Sequence, residues 1–258
     1  MPIGRRTIFP KHLMTTPDYF TKGPTNTQAE LTECIVLAGG LGTRLRSAVA
    51  DLPKCMAPVA GVPFLDHVIH FLKNQGIKRF VFSLGYLHEV VEDHLKQLPD
   101  LNYITVVEQD PLGTGGAIQL AAKSCTQTNV LIVNGDTMFR VNLNTLTAFH
   151  FQHQAFCTLA LKPMKNADRY GLVLLFPSGA IESFAEKKEG SSGLINGGVY
   201  ILNRDQFLTL KFPNKFSFEQ DYLLPYHNSE PMYGFVQDAY FIDIGIPEDY
   251  MRAQTELK

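Results

Sequence analysis

With 258 residues, the chain is long enough to bury one large core with a small lobe attached. Its hydrophobic share of 45% and charged share of 19% are ordinary for a globular protein, and its formal net charge of −2 carries no basic footprint for DNA or RNA. No apolar run approaches membrane-spanning length, and Arg5-Arg6 is followed by no signal-peptide core.

The four cysteines, Cys34, Cys55, Cys125 and Cys157, are widely scattered. They form no metal-ligand or disulfide pattern and read as buried, reduced thiols of a cytoplasmic protein. The histidines likewise show no ligand spacing: His67 and His70 share a helical face but read as surface or core residues.

Residues 1–32 are polar and aperiodic, with Pro10, Pro17 and Pro24, and read as an N-terminal extension outside the core. Strands and helices alternate from Glu33, which opens a domain running over 33–258. Strands are expected at Cys34–Leu37, Arg79–Leu84, Tyr103–Val107 and Val130–Val133. Between them, helical stripes cover Phe64–Gln75 and Leu87–Leu98, and a small-residue helix covers Gly115–Lys123. That alternation predicts a mainly parallel sheet covered on both faces.

The second half changes character. Cys157–Leu161 reads as a strand, Leu172–Phe176 and Ile181–Phe184 as a hairpin, and Ile195–Leu202 as a strand. The glycines Gly197 and Gly198 inside that last strand imply a close approach by something. Phe218–Tyr226 reads as a short helix, Ala239–Ile242 as a last strand, and a C-terminal helix starts at Pro247.

The most informative stretch is Leu37 to Lys54. An apolar strand runs into Leu37-Ala38-Gly39-Gly40-Leu41-Gly42-Thr43-Arg44, and Asp51-Leu52-Pro53-Lys54 follows. The glycines free the backbone for positive φ or close ligand approach. Bare N–H groups in such a turn form an anion-binding concavity, and Arg44 and Lys54 add charge suited to a polyphosphate. No P-loop lysine follows, and Leu45 stands where a dinucleotide fingerprint needs its third glycine, which disfavours a dehydrogenase.

Asp136 and Asp243 each end an apolar run beside a glycine, where open α/β sheets bind ligands. Read alone, each is either half of a Mg²⁺ site or the cap of a turn. Leu112-Gly113-Thr114-Gly115-Gly116 is a second glycine loop, which alone reads as a helix start. Glu108 precedes it and is a candidate acceptor for the adjacent donors on a guanine edge. Glu186-Lys187, followed by Lys188-Glu189, reads alone as a solvated charge run.

Gly39-Gly40-x-Gly42-Thr43-Arg44-Leu45 with Pro53-Lys54-Cys55-Met56-Ala57-Pro58-Val59 resembles the signature of the sugar-1-phosphate nucleotidyltransferases, although Cys55 stands where the family more often has proline. The resemblance covers about Cys34 to Gln254. It implies a Rossmann-like three-layer α/β fold with a mainly parallel mixed central sheet and a small β-rich sugar-binding lobe.

It also implies Mg²⁺ on Asp136 and Asp243, and the Gly113-Thr114-Gly115 loop around the nucleotide base. Leu37 to Thr43 and Arg44 would lie at the triphosphate, and Lys54 at the α-phosphoryl group. Glu186 would meet sugar hydroxyls and Lys187 the sugar phosphate, while Tyr170-Gly171 and Asn196-Gly197 are similar to sugar-facing segments. The runs Pro111–Ala117, Leu194–Tyr200, Lys215–Glu219 and Phe241–Tyr250 are most similar to the heptose 1-phosphate guanylyltransferase branch, which serves bacterial surface polysaccharides.

The implied substrates are a nucleoside triphosphate, GTP before UTP, and a sugar 1-phosphate. Mannose 1-phosphate guanylyltransferases, N-acetylmuramate 1-phosphate uridylyltransferases and non-catalytic relatives of the same fold stay open. So does oligomeric state, a homo-oligomer included.

Overall fold

The computed structural model describes residues 30–40, 45, 49, 51–186 and 190–257. Most of the expected N-terminal extension, and the candidate site residues Gly42, Thr43, Arg44 and Lys187, therefore lie outside the described residues. In chain order the elements begin with β1 (Glu33–Leu37), a short hairpin of β2 (Pro58–Val59) and β3 (Val62–Pro63), α1 (Phe64–Asn74) and β4 (Arg79–Leu84). Then come α2 (His88–Leu95), β5 (Tyr103–Val107), α3 (Gly113–Ala122), β6 (Asn129–Asn134), β7 (Thr137–Phe139) and α4 (Leu143–Gln152). The second half holds β8 (Cys157–Met164), β9 (Leu172–Leu175), β10 (Ile181–Ala185), β11 (Gly193–Asn203) and α5 (Arg204–Thr209). A π-helix (Phe218–Leu223) runs into α6 (Leu224–Tyr226), followed by β12 (Met232–Val236), β13 (Phe241–Asp243) and α7 (Pro247–Glu256).

Among the described residues, nine strands form one mixed sheet, with the order β10-β9-β11-β6-β1-β4-β5 along its main path. The block β6-β1-β4-β5 is parallel throughout. β11 joins it antiparallel to β6, and β8 pairs antiparallel with β11 and parallel with β12. The expected β-rich lobe is thus the antiparallel margin of the same sheet.

Side-chain alternation builds the three layers. Cys34 and Val36 of β1, Phe80 and Phe82 of β4, and Leu131 and Val133 of β6 face one core with Leu65, Leu72, Val91 and Leu95 from α1 and α2. Ile35, Val81 and Ile132, the residues between, face the other core with Ile118 and Ala121 of α3, Phe207 of α5 and Tyr222 of the π-helix. All four cysteines are buried free thiols. Burial, with the nearby Asp136 charge, pushes the Cys55 thiol up to about 12, so it is inert at neutral pH.

One charged group ties the lower edge of the parallel block. The Glu33 side chain is 3% exposed. Its Oε2 accepts the backbone N–H groups of Thr126 (2.7 Å) and Gln127 (2.6 Å), and its other oxygen accepts from Thr126 Oγ1 and the Arg79 guanidinium. Burial alone would raise the carboxyl's pKa. The two amides and Arg79 outweigh burial and hold it below the ordinary glutamate value. One carboxylate therefore connects the starts of β1 and β4 with the turn entering β6.

Glu33→Ala leaves Arg79 half-buried without its partner and is expected to cost about 3–5 kcal/mol in urea unfolding. A depressed carboxyl gives stability that is complete above the unfolded-state pKa and lost as pH falls through the folded-state value. The wild-type advantage over Glu33→Gln should therefore be full at neutral pH and shrink in acid below the ordinary glutamate range. A pH-independent difference between the two would show that charge is not involved.

Candidate active site

The two candidate aspartates arrive from segments far apart in sequence. β7 and β13 pair antiparallel, with Thr137 opposite Asp243, which sets Asp243 beside Asp136 at the exit of β6. Ile244 N–H donates to Asp136 O at 3.1 Å and fixes the two backbones together. Lys54 reaches the pair from a third direction. Pro53 leads into a single 3₁₀ turn, Lys54–Met56, anchored by the buried Cys55 and Met56.

The Lys54 ammonium lies 2.5 Å from Asp136 Oδ2 and 3.3 Å from Asp243 Oδ1, with its side chain 13% exposed. Asp243 Oδ1 also accepts Gly245 N–H at 2.8 Å, and Thr137 Oγ1 donates to Asp136 Oδ1 at 3.2 Å. A Cβ on Gly245 would sit 2.8 Å from Asp243 Oδ1 and 2.9 Å from Lys54 Nζ, so only glycine lets this corner close. Two carboxylates and one ammonium leave one net negative charge facing the cleft. No group of three or more His, Cys, Asp or Glu side chains placed to hold a metal ion occurs among the described residues. Mg²⁺ asks for less, since one or two carboxylates suffice when phosphate oxygens and water complete its shell. The converging pair fits that requirement.

The first glycine turn uses its glycines differently from expectation at its start. Leu37 and Ala38 remain part of the sheet: Leu37 O accepts Gly135 N–H at 2.8 Å, and Ala38 N–H donates to Ser83 O at 2.9 Å. Neither Gly39 nor Gly40 has a positive φ. Gly39 is needed for close approach, because its Cβ would lie 3.0 Å from Gly85 N and 3.2 Å from Glu108 Oε1. Gly40 is exposed, with no described residue within 4 Å of a Cβ there.

The second loop shows the same economy. α3 begins at Gly113, two residues before the expected start, and the chain from Asn214 to Phe218 lies directly on it. A Cβ would come within 2.6 Å of Phe216 O at Gly113, 2.2 Å of the Phe216 ring at Gly115 and 2.7 Å of Asn214 O at Gly116. Thr114 Oγ1 accepts Phe218 N–H at 2.9 Å. These small residues are consumed, at least on one side, by the protein's own packing. Glu108 Oε2 accepts Leu112 N–H at 2.8 Å and so shapes the loop, while its Oε1 has no hydrogen-bond partner among the described residues. Burial raises the Glu108 carboxyl above its ordinary pKa, and the Leu112 amide partly offsets this.

Beside the aspartates opens a cavity of about 180 Å³ lined by Asp243 together with Tyr170, Asn196 and Gly197, three residues expected at the sugar. Burial and the Asp243 charge raise the Tyr170 phenol to about 12, so it stays a neutral donor. Gly171 and Glu186 do not line the cavity. Gly171 lies against Ala185 O at the end of β10, and Glu186 is exposed just beyond it.

The glycines of β11 mark a bulge between Asn196 and Tyr200. Gly197 admits the Phe139 ring and Gly198, at φ +70°, admits the Asn134 side chain, so the approaching groups are protein atoms. The bulge aims Asn196 into the cavity, where its Nδ2 donates to Tyr200 Oη (2.8 Å) and Glu219 Oε1 (3.3 Å). The cavity also holds Arg169 and Glu219, two charged residues that pattern reading did not assign. Arg169 stands directly before Tyr170, and Glu219 sits in a π-helix, an uncommon geometry often found at functional sites. Glu219 closes the run Lys215–Glu219, which the resemblance covers without giving that residue a role, and Arg169 belongs to no motif.

A lysine and two aspartates converge beyond the strand ends of this α/β sheet, next to a polar cavity, an arrangement whose charges suit a phosphorylated ligand. The chain belongs to the nucleotidyl transferase family, whose model matches residues 33–258. It is 48% identical over 227 residues to the D-glycero-alpha-D-manno-heptose 1-phosphate guanylyltransferase of Aneurinibacillus thermoaerophilus, covering 88% of this chain and 98% of that one. It is 40% identical over 219 residues to the Campylobacter jejuni protein of the same name, covering 84% and 96%. Its structure is similar to that of HddC from Yersinia pseudotuberculosis in complex with GMP-PN, with a TM-score of 0.80, 34% identity, and coverage of 88% of this chain and 100% of that one.

The contact between Gly115 and Phe216 makes a direct test of the loop packing. Gly115→Ala must displace the Phe216 ring and is expected to cost about 1–3 kcal/mol. Gly40→Ala, at an exposed position with no described neighbour, should cost less than about 1 kcal/mol. Chemical denaturation of the two variants side by side checks the difference.

Proposed function

We propose that the protein transfers GMP from GTP to D-glycero-α-D-manno-heptose 1-phosphate, releasing pyrophosphate and forming a GDP-sugar. One observation carries this reading: Asp243 belongs to both halves of the site. One of its oxygens contacts Lys54 beside Asp136, and the same side chain lines the cavity with Tyr170 and Asn196. A nucleotide phosphate at the aspartates and a sugar in the cavity would meet there. The names of the two guanylyltransferase relatives support GTP as donor and the heptose phosphate as acceptor.

The acceptor is a phosphate already ionised at neutral pH, so its oxygen needs no general base. That oxygen forms a bond to the α-phosphorus as the bond to the β-phosphate oxygen breaks, and pyrophosphate leaves with the electron pair. The remaining task is to align two anions and stabilise charge on the α-phosphoryl oxygens. Lys54 takes that second role in our reading, its ammonium held in place by the two carboxylates. Asp136 and Asp243 would hold a divalent cation, Mg²⁺ in our reading, which supplies charge neutralisation when bound.

The amides of Gly39 to Thr43, with Arg44, would cradle the leaving phosphates, and Lys187 would counter the incoming one. Both assignments rest on sequence pattern. Glu108 Oε1 would accept from the guanine edge, with Gly113-Thr114-Gly115 alongside the ring. Glu186 and Gly171 would approach the sugar from the β10 side. A cytoplasmic location fits the supply of GTP.

Pyrophosphate release should be measured with GTP, UTP, CTP and dTTP against heptose, mannose and N-acetylmuramate 1-phosphates in the presence of Mg²⁺. GTP with the heptose phosphate should be the best pair, and a better pair elsewhere in the panel overturns the substrate assignment. Lys54→Ala and Asp243→Asn should each lower turnover by about 10²-fold or more with the fold retained by circular dichroism. Glu108→Gln should narrow the GTP-over-UTP preference, and an unchanged ratio would remove Glu108 from base recognition.

A further inference from the structure

Arg169 follows β8 in the turn that leads to Tyr170. Its guanidinium donates to the carboxylate of Asp249, whose side chain is 6% exposed, and stands 5.5 Å from the centroid of the Tyr170 ring. The other Asp249 oxygen accepts from Arg252 Nη1 at 2.8 Å, three residues along α7. Two guanidinium groups therefore share one carboxylate, and the trio carries one net positive charge.

The two arginines face different surroundings. Arg252 lies on α7 and reaches Glu256 as well as Asp249. Arg169 lines the cavity, with its side chain 43% exposed. Among the described residues that line the cavity it is the only cation, and the carboxylates of Asp243 and Glu219 line it too. A dianionic ligand entering such a cavity meets two negative charges and one positive fork. Asp249 sits in the first turn of α7, where the helix dipole favours a negative side chain, and is well placed to hold that fork.

We propose that Arg169 binds the phosphate of the acceptor sugar 1-phosphate, and that Asp249 is a positioning residue which holds the Arg169 guanidinium toward the cavity. The inference rests on the guanylyltransferase reading above for the identity of the ligand. A planar guanidinium offers two parallel N–H groups to phosphate oxygens, and fixing it beforehand reduces the rotamer entropy lost on binding. Arg252 by itself would satisfy Asp249 as a structural pair, so fold stability does not require a second arginine turned to the cavity.

The test separates acceptor from donor. Removing one hydrogen bond to a charged group should raise the KM for the heptose 1-phosphate about ten- to hundredfold in Arg169→Gln. The KM for GTP should stay within about twofold. Arg169→Lys should recover part of the loss, and Asp249→Asn should raise the same KM by less than Arg169→Gln. Arg252→Gln, which breaks the other ion pair of the same carboxylate, should leave both KM values near wild type. An unchanged acceptor KM in Arg169→Gln, or equal rises in both KM values, overturns the proposal. If Arg169→Gln fails to fold, the acceptor KM of Arg169→Lys and Asp249→Asn decides, and no change in either overturns it.

Absence of wild-type turnover with every sugar 1-phosphate would count against the guanylyltransferase reading instead. Calorimetry with inorganic phosphate then judges Arg169 separately: weaker binding to Arg169→Lys than to wild type upholds its role, and equal binding overturns it.

Discussion

The site depends on an ion cluster that no single segment could build. Lys54 precedes Asp136 by 82 positions and Asp243 by 189, yet its ammonium contacts both carboxylates. Each partner needs the others. Two carboxylates alone would repel, and a lysine with a side chain only 13% exposed would lack the counter-charge that makes its burial tolerable. The two-stranded pairing of β7 with β13 brings the two aspartates together, because its backbone register sets Asp243 opposite Thr137, next to Asp136. A strand pair of three residues each gains little from its own hydrogen bonds, and the aromatic contact of Phe139 with Phe241 at 5.8 Å adds apolar support beneath the charges.

Around this cluster, glycine serves mainly as a device for bringing backbones together. Gly39 lies against Gly85, Gly135 against Leu37 O, Gly245 against Asp243 and Lys54, and Gly115 against Phe216. None of these four has a positive φ, so conformational freedom is not the reason for glycine there. What they share is a missing Cβ at a place where strand exits crowd together. Crowding of this kind is a consequence of placing a ligand site beyond the ends of several parallel strands, where β1, β4 and β6 all deliver their loops into one volume. Three of the four also spend their N–H groups inside the protein, Gly135 on Leu37 O, Gly115 on Phe216 O and Gly245 on Asp243 Oδ1.

The parallel block was legible because its strands are buried on both faces and therefore read as unbroken apolar runs. Arg79–Leu84 and Tyr103–Val107 coincide with the sequence expectation at both ends. Asp136 and Asp243 were legible as carboxylates that end such runs, although Asp136 lies two residues beyond β6 and the last strand is Phe241–Asp243, later than expected. Other elements were not. α4 has His150 inside its buried face, where it bonds Thr158 Oγ1 and Asn129 Oδ1, so its stripe is interrupted. The Asn142 cap, whose side chain accepts Thr145 N–H, was its one local mark. β12 alternates weakly around Gly234 and is defined by its parallel pairing to β8, a long-range fact. Arg169 and Glu219 became site residues only through the cavity they share: Arg169 belongs to no motif, and the run Lys215–Glu219 gave Glu219 no role.

The position of that cavity follows from the double duty of β11. Its C-terminal half, from Val199, lies antiparallel between β6, the edge of the parallel block, and β8. Its N-terminal half keeps β8 on one side but exchanges β6 for β9, which it touches at Ile195. A strand shared between a parallel block and an antiparallel margin must adjust its twist where the partners change. The bulge between Asn196 and Tyr200 absorbs the change, and Gly198 at φ +70° supplies the conformation a side chain would resist. A bulge leaves polar backbone and re-aimed side chains without ladder partners, and these are the groups that Tyr200 and Glu219 meet through Asn196. The polar pocket is therefore the local result of joining two sheet geometries, and it forms beside Asp243 because β7 runs directly from the strand that β11 pairs with.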